Sequence, residues 1–201
     1  NNGDVFYVVV GDGSCTDTAM VTYTVTSTIT VSDPSPVLCE DGPGSAQVVG
    51  YDLTGLNNVV YAGGGSPGYT WYMADMVTAV VPPTSVTITD GAQYWIDVVD
   101  GNCGNAIMVN FTVNALPTAT IAGGGSYCIG GTAPDVTIQL TGSQPWDITY
   151  DVSGTPTTVT VTSSPYTIPG GGDGTYTVTD VLDVNCTGTT SGSATITTNP
   201  L

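Results

Sequence analysis

The stretch YWIDVVDGNC, from Tyr94 to Cys103, recurs in related form as YVVVGDGSC at Tyr7–Cys15 and as YTVTDVLDVNC at Tyr176–Cys186. Each copy begins with Tyr-x-Val or Tyr-x-Ile after a glycine turn and carries an Asp three residues before its cysteine. Runs rich in Val, Ile, Thr and Tyr that end in Gly and Asn turns indicate β-strands. The copies lie about 85 residues apart, which is the length of one small β-sandwich domain.

A second recurring element ends at the two remaining cysteines. It reads TITVSDPSPVLC up to Cys39 and TATIAGGGSYC up to Cys128. The two series together predict an incomplete repeat at 1–27, of which only the C-terminal part is present, and complete repeats at 28–115 and 116–201. No flexible Gly/Ser linker separates the repeats, so we expect a semi-rigid connection between them.

The strand pattern predicts an all-β protein of tandem immunoglobulin-like Greek-key β-sandwiches, because about seven short strands fall at regular spacing in each repeat. Trp71 and Trp146 stand mid-repeat, where such sandwiches bury a tryptophan. The tyrosines that follow the Asp-Gly turns, such as Tyr176, fit the tyrosine corner of the penultimate strand. Predicted strands lie near 4–10, 20–26, 28–32, 46–53, 69–73, 85–89, 93–99, 106–113, 118–122, 135–140, 147–152, 158–162, 166–168, 175–182 and 189–197.

The motif Tyr-x-Val…Asp-x-x-Cys, followed by an alternating Thr/Val strand, resembles the Ig-like repeats of large Bacteroidota surface proteins. These include gliding-motility adhesins and cell-surface filaments. The resemblance implies a secreted surface protein, exported by the type IX route. The chain departs from antibody domains, since Ile96 and Val178 stand where those domains carry a cysteine.

The composition removes whole classes of function. The chain has 17 acidic residues and no Lys, Arg or His, which gives a net charge of −17. It cannot neutralise phosphates, so nucleic acid and anionic membrane surfaces are excluded as partners. Without an imidazole, an amine or a guanidinium, it lacks the usual groups of acid–base, nucleophilic and phosphoryl-transfer catalysis. We therefore expect no enzyme activity, no cofactor and no membrane insertion.

The absence of basic residues predicts that the chain resists two common proteases. Trypsin and Lys-C should leave the chain intact even after reduction and unfolding, since it offers neither enzyme a cleavage site. Intact-mass measurement after digestion checks this, with a protease specific for Asp as the positive control. Any tryptic fragment of the 201-residue chain would contradict the expectation.

The cysteines predict a disulfide framework. Because Cys39 and Cys103 hold the same repeat positions as Cys128 and Cys186, the pairs Cys39–Cys103 and Cys128–Cys186 are expected within their repeats. Each would close a loop of roughly 60 residues and contribute about 4 kcal/mol in the chain-entropy model. Cys15 is left with a predicted partner outside residues 1–201. Disulfides indicate an oxidising, extracytoplasmic location.

Three weaker site hypotheses remain open. The carboxylates of Asp97, Asp100, Asp180 and Asp183 could supply calcium oxygens, but two per strand end are too few alone, and Asx-turns are the favoured explanation. Trp95 and Tyr72 could form a stacking platform for a ligand. Asp17-Thr18-Ala19 matches a short O-glycosylation motif of Bacteroidota, which makes Thr18 a candidate acceptor.

These observations predict a structural segment of an extracellular fibre or adhesin stalk. Its expected partners are copies of itself or further repeats of the same chain. A carbohydrate- or surface-binding module is the alternative, and surface glycans would then be its partners. Residues 1–27 should not form a domain alone, because an isolated hairpin is marginal in water. Their missing strands would come from a longer array or from a strand-exchanging neighbour.

Overall fold

The structure, a computed structural model, describes residues 4–11, 13–23 and 29–201. Two very short helical segments accompany the strands: a 3-10 helix at Leu53–Leu56 and helix α1 at Asn57–Val60. The strands of the described residues are β1 (Asp4–Gly11), β2 (Thr16–Tyr23), β3 (Val37–Cys39), β4 (Gln47–Tyr51), β5 (Gly68–Met73), β6 (Val86–Thr89), β7 (Gln93–Asp100), β8 (Cys103–Asn110), β9 (Thr112–Asn114), β10 (Thr118–Cys128), β11 (Val136–Leu140), β12 (Trp146–Val152), β13 (Thr155–Val161), β14 (Tyr166–Ile168), β15 (Gly174–Leu182), β16 (Thr189–Gly192) and β17 (Ala194–Asn199).

The chain divides into two compact units. The first comprises Asn1–Pro34, Asp52–Thr84 and Gln93–Asn110, and the second comprises Ser35–Tyr51, Ser85–Ala92 and Phe111–Leu201. These bounds cut across the predicted repeat 28–115, so the repeat boundaries stay a prediction. The all-β, Ig-like fold itself is confirmed by the strand topology described below.

The second unit contains one complete sandwich, built from β10 to β17. Strands β14, β11 and the first half of β10 lie side by side, and β16 pairs with that half of β10 in parallel. Strands β13, β12, β15 and β17 form the other layer, which the second half of β10 joins in parallel with β17. β10 therefore belongs to both layers.

The core of this sandwich lies between the two layers. Period-2 alternation along the strands directs every second side chain inward. Trp146 is buried as predicted, and its indole N–H donates to the carbonyl of Thr141 at 2.9 Å. The Tyr176 hydroxyl donates to the Gly172 carbonyl at 2.8 Å, which confirms the tyrosine corner. The buried cluster consists of Ala119, Ile121, Val136, Ile138, Leu140, Trp146, Ile148, Val161, Tyr176, Val178, Val181, Ala194 and Ile196.

β10 changes layer at three consecutive glycines, a feature that the strand pattern does not predict. Gly123, Gly124 and Gly125 all have positive φ, between 74° and 138°. A Cβ on Gly124 would stand 2.5 Å from the Thr195 carbonyl oxygen, which is backbone and cannot move aside easily. Only glycine combines this conformation with so close an approach of the two strands.

Replacing Gly124 by Ala should lower the free energy of unfolding by roughly 2–3 kcal/mol, because it adds left-handed strain to a backbone clash. Denaturant unfolding measures the change. Gly42→Ala is the matched control, since a Cβ at Gly42 meets no heavy atom within 4 Å. Equal stability of the two variants would show that β10 can cross between the layers without glycine.

The rest of the second unit repeats part of this pattern. β4 pairs antiparallel with β6, as β11 does with β14, and β3 pairs in parallel with β9, as the end of β10 does with β17. The Tyr51 and Phe111 rings meet edge to face at 5.6 Å between centroids. These two pairings of the middle segment match the corresponding pairings in the last sandwich.

The first unit is built around the three-stranded sheet β5-β7-β8. Trp71 on β5 is buried as predicted, and its indole N–H donates to the Asn57 side-chain oxygen at 2.9 Å. Asn57 begins α1, one of the two short helical segments, which the strand pattern did not predict. Residues 29–32 form no strand, contrary to the strand expected near 28–32, and residue 28 lies outside the described residues.

β1 and β2 form a two-stranded hairpin whose described side chains, at 6–11 and 13–21, are all exposed. Phe6 is 57% exposed and Val9 62%, so neither is buried against other strands. The register opposes Phe6 to Val21 and Tyr7 to Met20, which puts Val21 on the face opposite Val9. Val9 and Val21 therefore do not share one face of the hairpin. The side chain of Tyr23 lies outside the described residues.

Candidate functional site

The feature that most distinguishes this chain is a disulfide between Cys39 and Cys186, with a Cα–Cα distance of 5.9 Å. It joins the two predicted complete repeats across a sequence separation of 147 residues. The predicted pairs Cys39–Cys103 and Cys128–Cys186 are wrong, since the structure leaves Cys103 and Cys128 as thiols. Cys186 is buried and Cys39 exposed. Cys15 is exposed, and its predicted partner outside residues 1–201 stays a prediction.

Strand direction explains why the predicted pairing failed. Cys128 ends β10 in parallel register with Asn199, the last residue of β17. Cys186 precedes β16, at the start of the same edge of the sandwich. An extended strand rises about 3.3 Å per residue, so the two cysteines are roughly 35–40 Å apart along that edge. A disulfide requires Cα atoms within about 7 Å, so these two positions cannot bond inside one sandwich.

A buried carboxylate adjoins the first cysteine of the bond. Glu40 is the only glutamate in the chain and is 4% exposed. Its carboxylate accepts backbone N–H groups from Ala46 at 2.6 Å, Gly44 at 2.8 Å and Leu116 at 3.0 Å. These hydrogen bonds, from Ala46 first, then Leu116 and Gly44, hold the pKa of Glu40 below its ordinary value.

The second cysteine also has a buried carboxylate close by. Burial alone would raise the pKa of Asp183. Hydrogen bonds from the backbone N–H groups of Ser143, Cys186 and Asn185 outweigh this effect of burial, so the pKa lies below its ordinary value. Those three bonds measure 2.9, 2.7 and 2.8 Å. The bond from Asn185, two residues on, is an Asx-turn, so the turn interpretation of Asp183 is confirmed.

The segment that connects the two predicted repeats is held from both sides. The Glu40 carboxylate accepts a hydrogen bond from the N–H of Leu116. Thr189 donates its N–H to the carbonyl of buried Pro117 at 3.0 Å. A Cβ on Gly188 would fall on that same carbonyl, so only glycine fits beside it. We call Cys39, Glu40, Leu116, Pro117, Asp183 and Cys186 the disulfide joint. It couples a covalent bond to charge-assisted hydrogen bonds.

The calcium candidates do not converge. The Asp183 carboxylate already accepts three backbone hydrogen bonds. The Asp100 carboxylate accepts a hydrogen bond from the Tyr61 hydroxyl at 3.0 Å. Asp97 is half-buried on β7, whereas Asp180 is exposed on β15. Within residues 4–11, 13–23 and 29–201, no three His, Cys, Asp or Glu side chains come together as a metal site requires.

The stacking candidates lie together on one face of the first unit. Tyr72 on β5 is directly opposite Trp95 on β7, which is opposite Met108 on β8. All three are half-buried, on the face of the sheet opposite buried Trp71. Thr18 is exposed on β2, and its glycosylation stays a prediction.

One family model points to the same fold for the last repeat. The family model of the nucleoporin POM152 Ig-like domain matches residues 126–196, about a third of the chain. No curated protein matches the sequence. No helix in the described ranges is long and apolar enough to cross a bilayer.

Solved structures with Ig domains are similar at low identity. The I-band fragment I67-I69 from titin is 11% identical with a TM-score of 0.43, over 97% of this chain and 74% of that one. The N-terminal four Ig domains of Dscam1 isoform 6.9 are 15% identical with a TM-score of 0.34, over 92% of this chain. The chain spans 51% of that Dscam1 fragment. Likeness at this level says nothing of function.

Proposed function

We propose that the chain is a structural segment of an extracellular fibre or adhesin stalk built from tandem Ig-like repeats. The observation that carries this proposal is the disulfide joint. A stalk must transmit force from one repeat to the next, and the joint supplies a covalent path between Cys39 and Cys186. Its linker residues Leu116 and Pro117 are also hydrogen-bonded.

The chemistry of the chain supports a non-catalytic, exported protein. It contains no His, Lys or Arg, and the two acids that are buried among the described residues accept backbone N–H groups. A disulfide persists in oxidising compartments such as the cell surface. A strongly acidic surface keeps such a protein soluble. The sequence resemblance adds that the stalk belongs to a Bacteroidota surface protein exported by the type IX route.

A location experiment tests the stalk. Antibodies raised against the folded chain, followed by immunogold electron microscopy of intact source cells, should label extended structures outside the outer surface. Labelling confined to the cell interior would contradict the proposal. Cells treated with surface-acting protease specific for Asp provide the control, because they should lose the label while trypsin-treated cells retain it.

Binding of surface glycans is the second candidate function, and the row Tyr72–Trp95–Met108 favours it. Half-exposed aromatic rings side by side on a sheet can stack against a sugar ring. A glycan array should then retain the wild-type chain and lose Trp95→Ala, whereas Trp95→Phe should keep part of the binding. Equal retention of Trp95→Ala would exclude this row as the binding surface.

A further inference from the structure

Two cysteines at repeat-equivalent positions remain as thiols in the structure. Cys128 is exposed and Cys103 is half-buried. Each corresponds by sequence to one member of the Cys39–Cys186 bond: Cys128 to Cys39, and Cys103 to Cys186. The backbone around them shows whether that correspondence is structural as well.

Cys39 and Cys128 occupy the same structural position. Cys39 ends β3 in parallel register with Asn114, and Cys128 ends β10 in parallel register with Asn199. The next residue in each case donates its N–H to that asparagine carbonyl, Glu40 to Asn114 and Ile129 to Asn199, both at 3.0 Å. Cys128 therefore presents its thiol at the end of its sandwich as Cys39 does.

Cys103 and Cys186 are also equivalent. Cys103 is in register with Asp100 across the β7–β8 turn. After β15, the Asp183 N–H donates to the carbonyl of Cys186 at 2.9 Å. Each cysteine thus closes an Asp-x-x-Cys turn, between β7 and β8 in one case and between β15 and β16 in the other. In the bond that the structure contains, this turn cysteine belongs to the repeat that follows Cys39.

The same rule assigns the remaining thiols. We propose that Cys128 forms a disulfide with the turn cysteine, the equivalent of Cys186, of a further Ig-like repeat packed after the last sandwich. Cys103 likewise forms a disulfide with the strand-end cysteine, the equivalent of Cys39, of a preceding repeat. Every joint then carries one disulfide of the Cys39–Cys186 type. The inference rests on the proposed stalk function, which supplies the neighbouring repeats.

Exposure at the residue after each strand-end cysteine supports the assignment. Glu40, beside the bonded Cys39, is 4% exposed, whereas Ile129, beside Cys128, is 58% exposed. A large apolar side chain next to an exposed thiol is what a covering repeat would bury. The partner is thus a repeat of the same kind, with an Asp-x-x-Cys turn and an apolar contact for Ile129.

Bond formation requires an oxidant, which we take to be a small-molecule or protein disulfide. A thiolate attacks that disulfide and forms a mixed disulfide, and the second cysteine's thiolate then displaces the oxidant's thiol. The two cysteines lose two protons and two electrons, and the oxidant is reduced to two thiols. Oxidised glutathione serves this purpose in the test.

The experiment extends the chain by repeating residues 116–201 after Leu201. In a glutathione redox buffer, Cys128 should lose its reactivity to an alkylating reagent. Peptide mapping after cleavage at Asp should find Cys128 joined to the added copy of Cys186, with Cys39–Cys186 retained as the folding control. Cys186→Ser in the added copy alone should restore alkylation of Cys128.

The unextended chain in the same buffer identifies the source of the partner repeat. Dimers linked from Cys128 of one copy to Cys103 of another would show that a second copy supplies it, whereas linkage only in the extended chain would assign it to a longer chain. If Cys128 stays fully reactive in the extended chain while Cys39–Cys186 is intact, the proposal is overturned. The immunogold result for the stalk does not depend on this outcome.

Discussion

A single chain pulled by its two ends under oxidising conditions should stop extending about 500 Å short of the length it reaches after reduction. The disulfide bypasses 147 residues, and each residue of extended chain contributes roughly 3.3–3.6 Å. Force then runs through the sulfur–sulfur bond, and the residues between Cys39 and Cys186 are shielded from it. Single-molecule force spectroscopy with and without dithiothreitol measures the difference.

Two variants serve as controls for this extension. Cys39→Ser should extend fully without reductant, whereas Cys128→Ser should behave as the wild type. Release in two separate steps of roughly 220 and 200 Å would instead indicate the pairs Cys39–Cys103 and Cys128–Cys186 and contradict the joint. In the chain-entropy model a loop of this size also contributes about 5 kcal/mol to stability, so Cys39→Ser should unfold at markedly lower denaturant.

Glu40→Gln should lower the free energy of unfolding by about 2 kcal/mol, since an amide cannot satisfy all three buried N–H groups that the carboxylate accepts. Glu40→Asp should also destabilise, because its shorter side chain cannot span Ala46, Gly44 and Leu116. Asp180→Asn is the matched control: Asp180 is exposed, so the change should stay within about 0.5 kcal/mol. Equal effects of Glu40→Gln and Asp180→Asn would contradict the role of Glu40.

The same carboxylate makes the stability of the folded chain depend on pH. The pKa of Glu40 is lower in the folded than in the unfolded chain, so the unfolded state takes up its proton first as the pH falls. The stabilisation is present in full above the unfolded pKa, near 4.3, and is lost as the pH falls through the lowered folded value. Asp183, with a lowered pKa, contributes in the same direction. Stability measured against pH should fall less steeply below about pH 4.5 in Glu40→Gln than in the wild type.

Much of the fold was predictable because strand patterns are local. The alternation of apolar residues predicted most strands of the last repeat, and the mid-repeat position of Trp146 predicted its burial. The turn before Tyr176 predicted the tyrosine corner. Each of these depends on residues close together in sequence.

The joint could not be predicted in the same way. Pairing of cysteines within repeats assumes that each repeat is closed, but parallel pairing of β10 with β17 separates Cys128 from Cys186. Glu40 is the one signal in the sequence that marks this joint, because it is the only glutamate and stands next to Cys39. Its longer side chain reaches donors in two segments, the loop 44–46 and Leu116, which composition alone could not reveal.

The central claim, that Cys39 is bonded to Cys186, can be tested with one cleavage. Glu40 is the only glutamate, so a protease specific for Glu, acting on the unreduced chain in denaturant, cuts between residues 40 and 41. The two fragments should stay together on a non-reducing gel and separate on reduction. They should remain joined in Cys103→Ser and come apart in Cys186→Ser. Fragments that stay joined in Cys186→Ser but separate in Cys103→Ser would contradict the account.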